Sequence, residues 1–109
     1  MKYKTIELIR EEGIAIVYLN RPEALNALNE TMKNELIHAL KETEEDDEIR
    51  VIILTGRGRG FCAGADLSRF MEIQESDKGH RKKSRFGSVD FPRAFIQYPK
   101  PMIAAINGP

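Results

Sequence analysis

The chain has 109 residues and a mass of 12.4 kDa, and its 17 basic residues balance 17 acidic ones, so no net charge steers it toward nucleic acid or an anionic membrane. A single cysteine, Cys62, excludes an internal disulfide framework and, with no His/Cys cluster beside it, a zinc site. No apolar run approaches the roughly 20 residues of a membrane span and no apolar core follows the N-terminus, so the expectation is a cytoplasmic protein without a membrane or metal partner.

In chain order, Thr5 to Arg10 alternates, with Ile6, Leu8 and Arg10 on one face and Thr5, Glu7 and Ile9 on the other. Glu11-Glu12-Gly13 punctuates, and Ile14 to Leu19 is apolar on both faces, which predicts a β-hairpin with an edge strand and a more buried one. Asn20-Arg21-Pro22 ends it, because Pro donates nothing to a ladder. Asn29 is the favoured N-cap of a helix running from about Glu30 to Glu44. Its apolar stripe is Met32, Leu36, Ile37 and Leu40, with Lys33, Asn34, Glu35, Lys41 and Glu42 on the wet face. The acidic run Glu44 to Glu48 reads as a solvated helix end, since it lacks calcium-loop spacing.

Ile49 to Thr55 is continuously apolar and predicts a central strand buried on both faces, as in a parallel sheet with crossover helices. The elements thus form a β-β-α-β unit of α/β class. After the turn that follows, Asp66 or Ser68 caps a second helix carrying Leu67, Phe70 and Met71. Five Lys/Arg between Lys78 and Arg85 form a surface loop; without an aromatic platform or a second basic stripe they give no nucleic-acid partner. Val89 to Tyr98 is a short amphipathic helix stopped by Pro99. Met102 to Ile106 reads as a buried strand and Asn107-Gly108-Pro109 as a turn, an ending that suits part of a longer domain.

The chemistry lies in the turn after the central strand. Gly58-Arg59-Gly60-Phe61-Cys62-Ala63 fits a dinucleotide fingerprint, but the acidic residue such sites place about 20 positions on is replaced by the basic loop. The other reading is that Ala63-Gly64-Ala65 presents bare backbone N–H groups at a helix start, suited to a carbonyl oxygen that gains negative charge. Structural roles compete: Asp66 serves as a helix cap, Gly64 as a turn former and Cys62 as a small apolar filler. His38 and His80 carry no assigned chemistry.

Four stretches, Asn20-Arg21-Pro22 with Asn26-Ala27-Leu28, Val51 to Gly56, Phe61 to Leu67 and Lys100 to Gly108, cover nearly all of the chain. Together they resemble the N-terminal part of the enoyl-CoA hydratase/isomerase (crotonase) family. The resemblance implies the N-terminal portion of an α/β crotonase-like spiral of β-β-α units, assembled in the full-length protein as a homotrimer or homohexamer. It implies an acyl-CoA thioester as partner and an enolate stabilised by two backbone N–H groups, one of which maps onto Ala65. Ligand contacts map onto Ala24, Ala27, Ala63, Gly64, Ala65, Asp66, Leu67 and Ser68. Coenzyme A is part of the substrate, so no separate cofactor is implied. Many members carry Lys where Ser68 stands and a basic residue where Glu23 stands, so Arg69 or the Lys78 to Arg85 loop is the substitute for holding phosphates. The family's second oxyanion donor and its acid/base carboxylates map beyond Gly108. Residues 1–109 are therefore expected to be one part of a single domain and inactive alone. Hydration of a 2-enoyl-CoA is the default reaction and double-bond isomerisation the alternative; a non-catalytic remnant or interaction module is the alternative of another class.

Overall fold

The computed structural model describes residues 2–64 and 91–109; the second helix expected after Asp66 or Ser68 and the Lys78 to Arg85 loop lie outside them. Strands β1 (Ile6–Glu11) and β2 (Ile14–Leu19) pair antiparallel with Glu11 opposite Ile14, leaving a two-residue turn. Glu12 and Gly13 both have positive φ, the geometry that lets a tight turn follow the twist of its strands. A short 3-10 helix (Pro22–Ala24), helix α1 (Glu30–Glu45), strand β3 (Val51–Gly56), a helical segment at 91–96 and strand β4 (Met102–Ala104) follow. The sheet order is β1-β2-β3-β4, with β3 parallel to both neighbours.

Pairing register sets one face of the sheet. Leu8 lies opposite Val17, Ala15 opposite Ile52 and Val17 opposite Leu54. These residues pack with Ile6, Leu19 and Met102 in the same core as Met32, Leu36, Ala39 and Leu40 of α1. Asn29 starts α1 as expected, its Oδ1 accepting from the Met32 N–H at 2.8 Å. At the other end Lys100 Nζ donates to the carbonyls of Thr43 (2.6 Å) and Asp46 (2.8 Å), a cation on the helix's negative end. The Thr43 hydroxyl also meets the Tyr98 hydroxyl at 2.8 Å, and burial pushes the Tyr98 phenol above its ordinary pKa. Glu44, Glu45, Asp47 and Glu48 are exposed, in keeping with a solvated helix end, and Asp46 pairs with Arg10 at 3.3 Å.

Three expectations need correction. Glu35 is not on the wet face: it is 4% exposed, and its carboxylate accepts from the backbone N–H groups of Lys4 and Thr5 and from the Thr5 hydroxyl. Desolvation raises its pKa, but those three donors outweigh it and hold the carboxyl below the usual glutamate range. The central strand is not buried on both faces. Only Ile52 within β3 is buried, while Val51, Ile53 and Thr55 on the far face are half-covered. The last strand is three residues long rather than five and mostly exposed, Ile103 at 53% and Ile106, past its end, at 69%, because neither side chain packs on the core.

Candidate functional site at the strand ends

The parallel strands finish at one edge, where Leu19 pairs with Gly56 and Leu54 with Ala104. Three loops leave that edge: 20–28, 57–64 and 105–109. Crevices outside the carboxyl ends of parallel strands are where open α/β sheets commonly take ligands.

The first loop is wound tightly. Pro22 opens the 3-10 helix, and Leu25 and Asn26 sit in the left-handed region, with φ of 51° and 57°. A bulky residue such as Leu25 is strained there, so its neighbours must hold it. They do: the N–H groups of Ala24, Asn26, Leu25 and Ala27 all donate within the loop, and Arg21 Nη1 donates to the Ala27 carbonyl.

Asn26 joins this loop to the second. It is fully buried; Oδ1 accepts from the Arg21 N–H at 2.7 Å, and Nδ2 donates to the carbonyls of Arg57 (3.1 Å) and Gly60 (2.8 Å). Asn107 reaches the same turn from the third loop. Its Oδ1 accepts from the Gly56 N–H at 3.2 Å, and its Nδ2 donates to Gly58 O (3.2 Å) and Gly60 O (3.4 Å). Gly56 has no room for a side chain, since a Cβ would lie 2.5 Å from Gly60 O and 2.7 Å from Asn26 Nδ2. The N–H groups of Phe61 and Cys62 donate to the Pro109 carbonyl.

These bonds deliver residues 63 and 64 against the first loop. The Ala63 N–H donates to Leu25 O at 3.0 Å, and the Leu28 N–H donates to Gly64 O at 2.7 Å. Gly64 has φ 104°, and no atom of the described residues lies within 4 Å of where a Cβ would stand. Of the residues named from sequence, Ala24, Ala27, Ala63 and Gly64 thus lie in two adjoining, hydrogen-bonded loops. Ala65, Asp66, Leu67 and Ser68 lie outside the described residues.

Cys62 is half-buried and packs on the core, as a small filler does. The Arg57 guanidinium faces away from the loops, with Nε 2.7 Å from Glu7 Oε1 and its centre 3.7 Å from the middle of the Tyr18 ring. His38 Nδ1 lies 2.8 Å from the Tyr3 hydroxyl, a structural contact; burial is the main reason the Tyr3 phenol titrates high. Among the described residues no three metal-ligating side chains gather, and no helix is long and apolar enough to cross a membrane. The linking role of Asn26 and Asn107 was missed by sequence reasoning, which used both only as parts of the stretches that carry the resemblance. The signal available was an asparagine in each of two turns that follow strand-like runs, Asn26 after Pro22 and Asn107 before Gly108.

A β-β-α-β unit whose loops gather small residues at the carboxyl ends of parallel strands belongs to the α/β class, whose members commonly take ligands at that edge. The sequence places it more narrowly: residues 9–109 match the family model for enoyl-CoA hydratase/isomerase, and the chain belongs to that family. It is 42% identical over 101 residues to 1,2-epoxyphenylacetyl-CoA isomerase of Escherichia coli K12, covering 90% of this chain and 38% of that protein. It is 37% identical over 110 residues to human enoyl-CoA delta isomerase 2, covering 98% of this chain and 27% of that one. The crystal structure of an enoyl-CoA hydratase/isomerase from Xanthobacter autotrophicus Py2 superposes with a TM-score of 0.90 at 33% identity, over 99% of this chain and 40% of the other. The chain therefore spans about two fifths or less of these relatives, matching their N-terminal part, and its fold is the corresponding portion of the crotonase fold.

Proposed function

We propose that residues 1–109 are the acyl-CoA-binding part of a crotonase-type enzyme, the N-terminal part of a single domain that stabilises a thioester enolate through a backbone oxyanion hole. The observation that carries this reading is the joining of loops 20–28 and 57–64 at the strand ends by the Ala63–Leu25 and Leu28–Gly64 bonds. Small residues there leave room for a bulky acyl thioester, and main-chain donors need no side chain that a substrate would have to displace. Ala65 is the proposed donor to the thioester oxygen. Ala24, Ala27, Ala63, Gly64, Asp66, Leu67 and Ser68 are the proposed contacts. Removal of one such donor elsewhere costs roughly 10²–10³ in rate, so a single N–H can carry that weight.

Hydration of a 2-enoyl-CoA is the default reaction, with the complete protein a homotrimer or homohexamer in the cytoplasm. The enoyl-CoA delta isomerase among its relatives supports double-bond isomerisation as the second reading. Either reaction needs a positioned acid/base, and the carboxylate that the described part of the joined loops carries, Glu23, is exposed, so the 109 residues alone are expected to be inactive. Calorimetric titration of the chain with crotonyl-CoA tests the binding claim. A saturable heat that free coenzyme A competes away is the expected result; no heat from a sample with intact circular dichroism would overturn it.

A further inference from the structure

We propose that Asn26 is a positioning residue for this site. Its carboxamide sets the separation of loops 20–28 and 57–64, and through it the Leu25–Ala63 and Leu28–Gly64 contacts at which the acyl-CoA is held. The ligand part of this inference rests on the function proposed above; the positioning part stands on geometry alone.

Every hydrogen-bonding atom of the Asn26 side chain is used, and none is used on the core. The oxygen takes the Arg21 N–H from its own loop, and the two amide hydrogens go to Arg57 O and Gly60 O across the gap. The residue is wholly buried, so water cannot replace a lost donor. Its own φ of 57° is one that Asn tolerates better than most residues, which fits the loop's winding and the side chain's reach to one choice of residue. Asn107 duplicates only part of the task. It donates to Gly60 O at 3.4 Å, against 2.8 Å for Asn26, and makes no bond to Arg57 O. Gly56 completes the arrangement, because a Cβ there would occupy the space of Asn26 Nδ2.

Two variants separate positioning from general stability. N26D keeps shape and acceptor but turns an oxygen toward two carbonyls; N26G removes the amide without penalty in the left-handed region. Residue-resolved amide exchange, thermal unfolding and crotonyl-CoA titration are measured on the 109-residue chain. Exchange at the Leu28 and Ala63 amides is expected to rise about tenfold or more in both variants, with β2–β3 ladder amides unchanged and crotonyl-CoA affinity lowered by about tenfold, equivalent to ~1.4 kcal/mol. A carboxyl buried against carbonyls has its pKa raised, and once protonated it donates again. Protection in N26D should therefore recover in part as the pH is lowered from about 8 to about 5, one carbonyl regaining a donor, while N26G should not recover. A residue that only filled space would give no such pH profile.

Unchanged protection at Leu28 and Ala63, an equal loss across the β2–β3 ladder, failure of both variants to fold, or loosened amides with undiminished affinity would each overturn the proposal. If the unmutated chain binds no crotonyl-CoA, the functional reading fails while the exchange measurements still decide on Asn26.

Discussion

Between the sheet and α1 the contacts are apolar and undirected, with Val17, Leu19, Ile52, Met32 and Leu36 buried together. At the carboxyl ends of the same strands the contacts are mostly directed hydrogen bonds, and two carboxamides meet the carbonyls of Arg57, Gly58 and Gly60. The first region tolerates exchange of one hydrophobe for another of similar volume; the second tolerates little exchange of chemistry, because each donor faces a fixed acceptor. The core therefore sets whether the chain folds, and the loop cluster sets where its small-residue backbone stands.

The sharpest way to break this division is in the core. Ile52→Ala should cost about 2–5 kcal/mol in urea unfolding and, under conditions where the variant still folds, leave acyl-CoA affinity unchanged. Loss of affinity in Ile52→Ala protein that is still folded would refute the separation. Gly56→Ala attacks the other side. Its Cβ would collide with Gly60 O, Asn26 Nδ2 and Phe61 O, and an overpacking cost of about 1–3 kcal/mol should come with a loss of crotonyl-CoA binding in calorimetry.

Glu35 is the polar exception within the helix layer. Glu35→Gln puts an amide where three donors converge and should cost about 1–3 kcal/mol near neutral pH by urea unfolding. Because the folded carboxyl titrates below its unfolded value, its stabilisation is fully present above the unfolded pKa and is lost as pH falls through the lower, folded one. The parent chain should thus lose stability in acid more steeply than the Gln variant, and parallel pH profiles would remove Glu35 from that role. Asn29→Ala, which deletes the α1 cap, is the smallest of the set at about 1 kcal/mol in thermal or urea unfolding, with no effect on ligand affinity.

The hairpin, the cap of α1 and the central strand were legible in the sequence because each follows from local rules: alternation, a cap residue ahead of an apolar stripe, and a β-branched run. Glu35 was misread because helical periodicity counts a carboxylate as wet and cannot see three donors arriving from Lys4 and Thr5, about thirty residues earlier. That small residues, Ala and Gly, follow the end of β3 was legible. What holds them was not: the partners of Asn26 lie 31 and 34 residues away, and those of Asn107 nearly 50, a separation no local pattern encodes. The last strand was misjudged for a related reason, since apolar composition reports what a segment can bury and not whether anything covers it.

The parallel register of β4 carries a consequence for the order of assembly. The hairpin closes across two residues, whereas β3 and β4 are joined through residues 57–101, 45 in all, and meet in three residue pairs. By length alone that separation carries a chain-entropy term of roughly 3 kcal/mol, which the three pairs and the Lys100, Tyr98 and Asn107 contacts offset. Strand β4 should therefore be the last to join the sheet and the first to leave it, and the Ala105 N–H, which donates to Leu54 O, should exchange well before the β1–β2 ladder. The third loop of the candidate site hangs from that strand, so the loop cluster should come apart by sub-global opening while the hairpin and α1 remain folded.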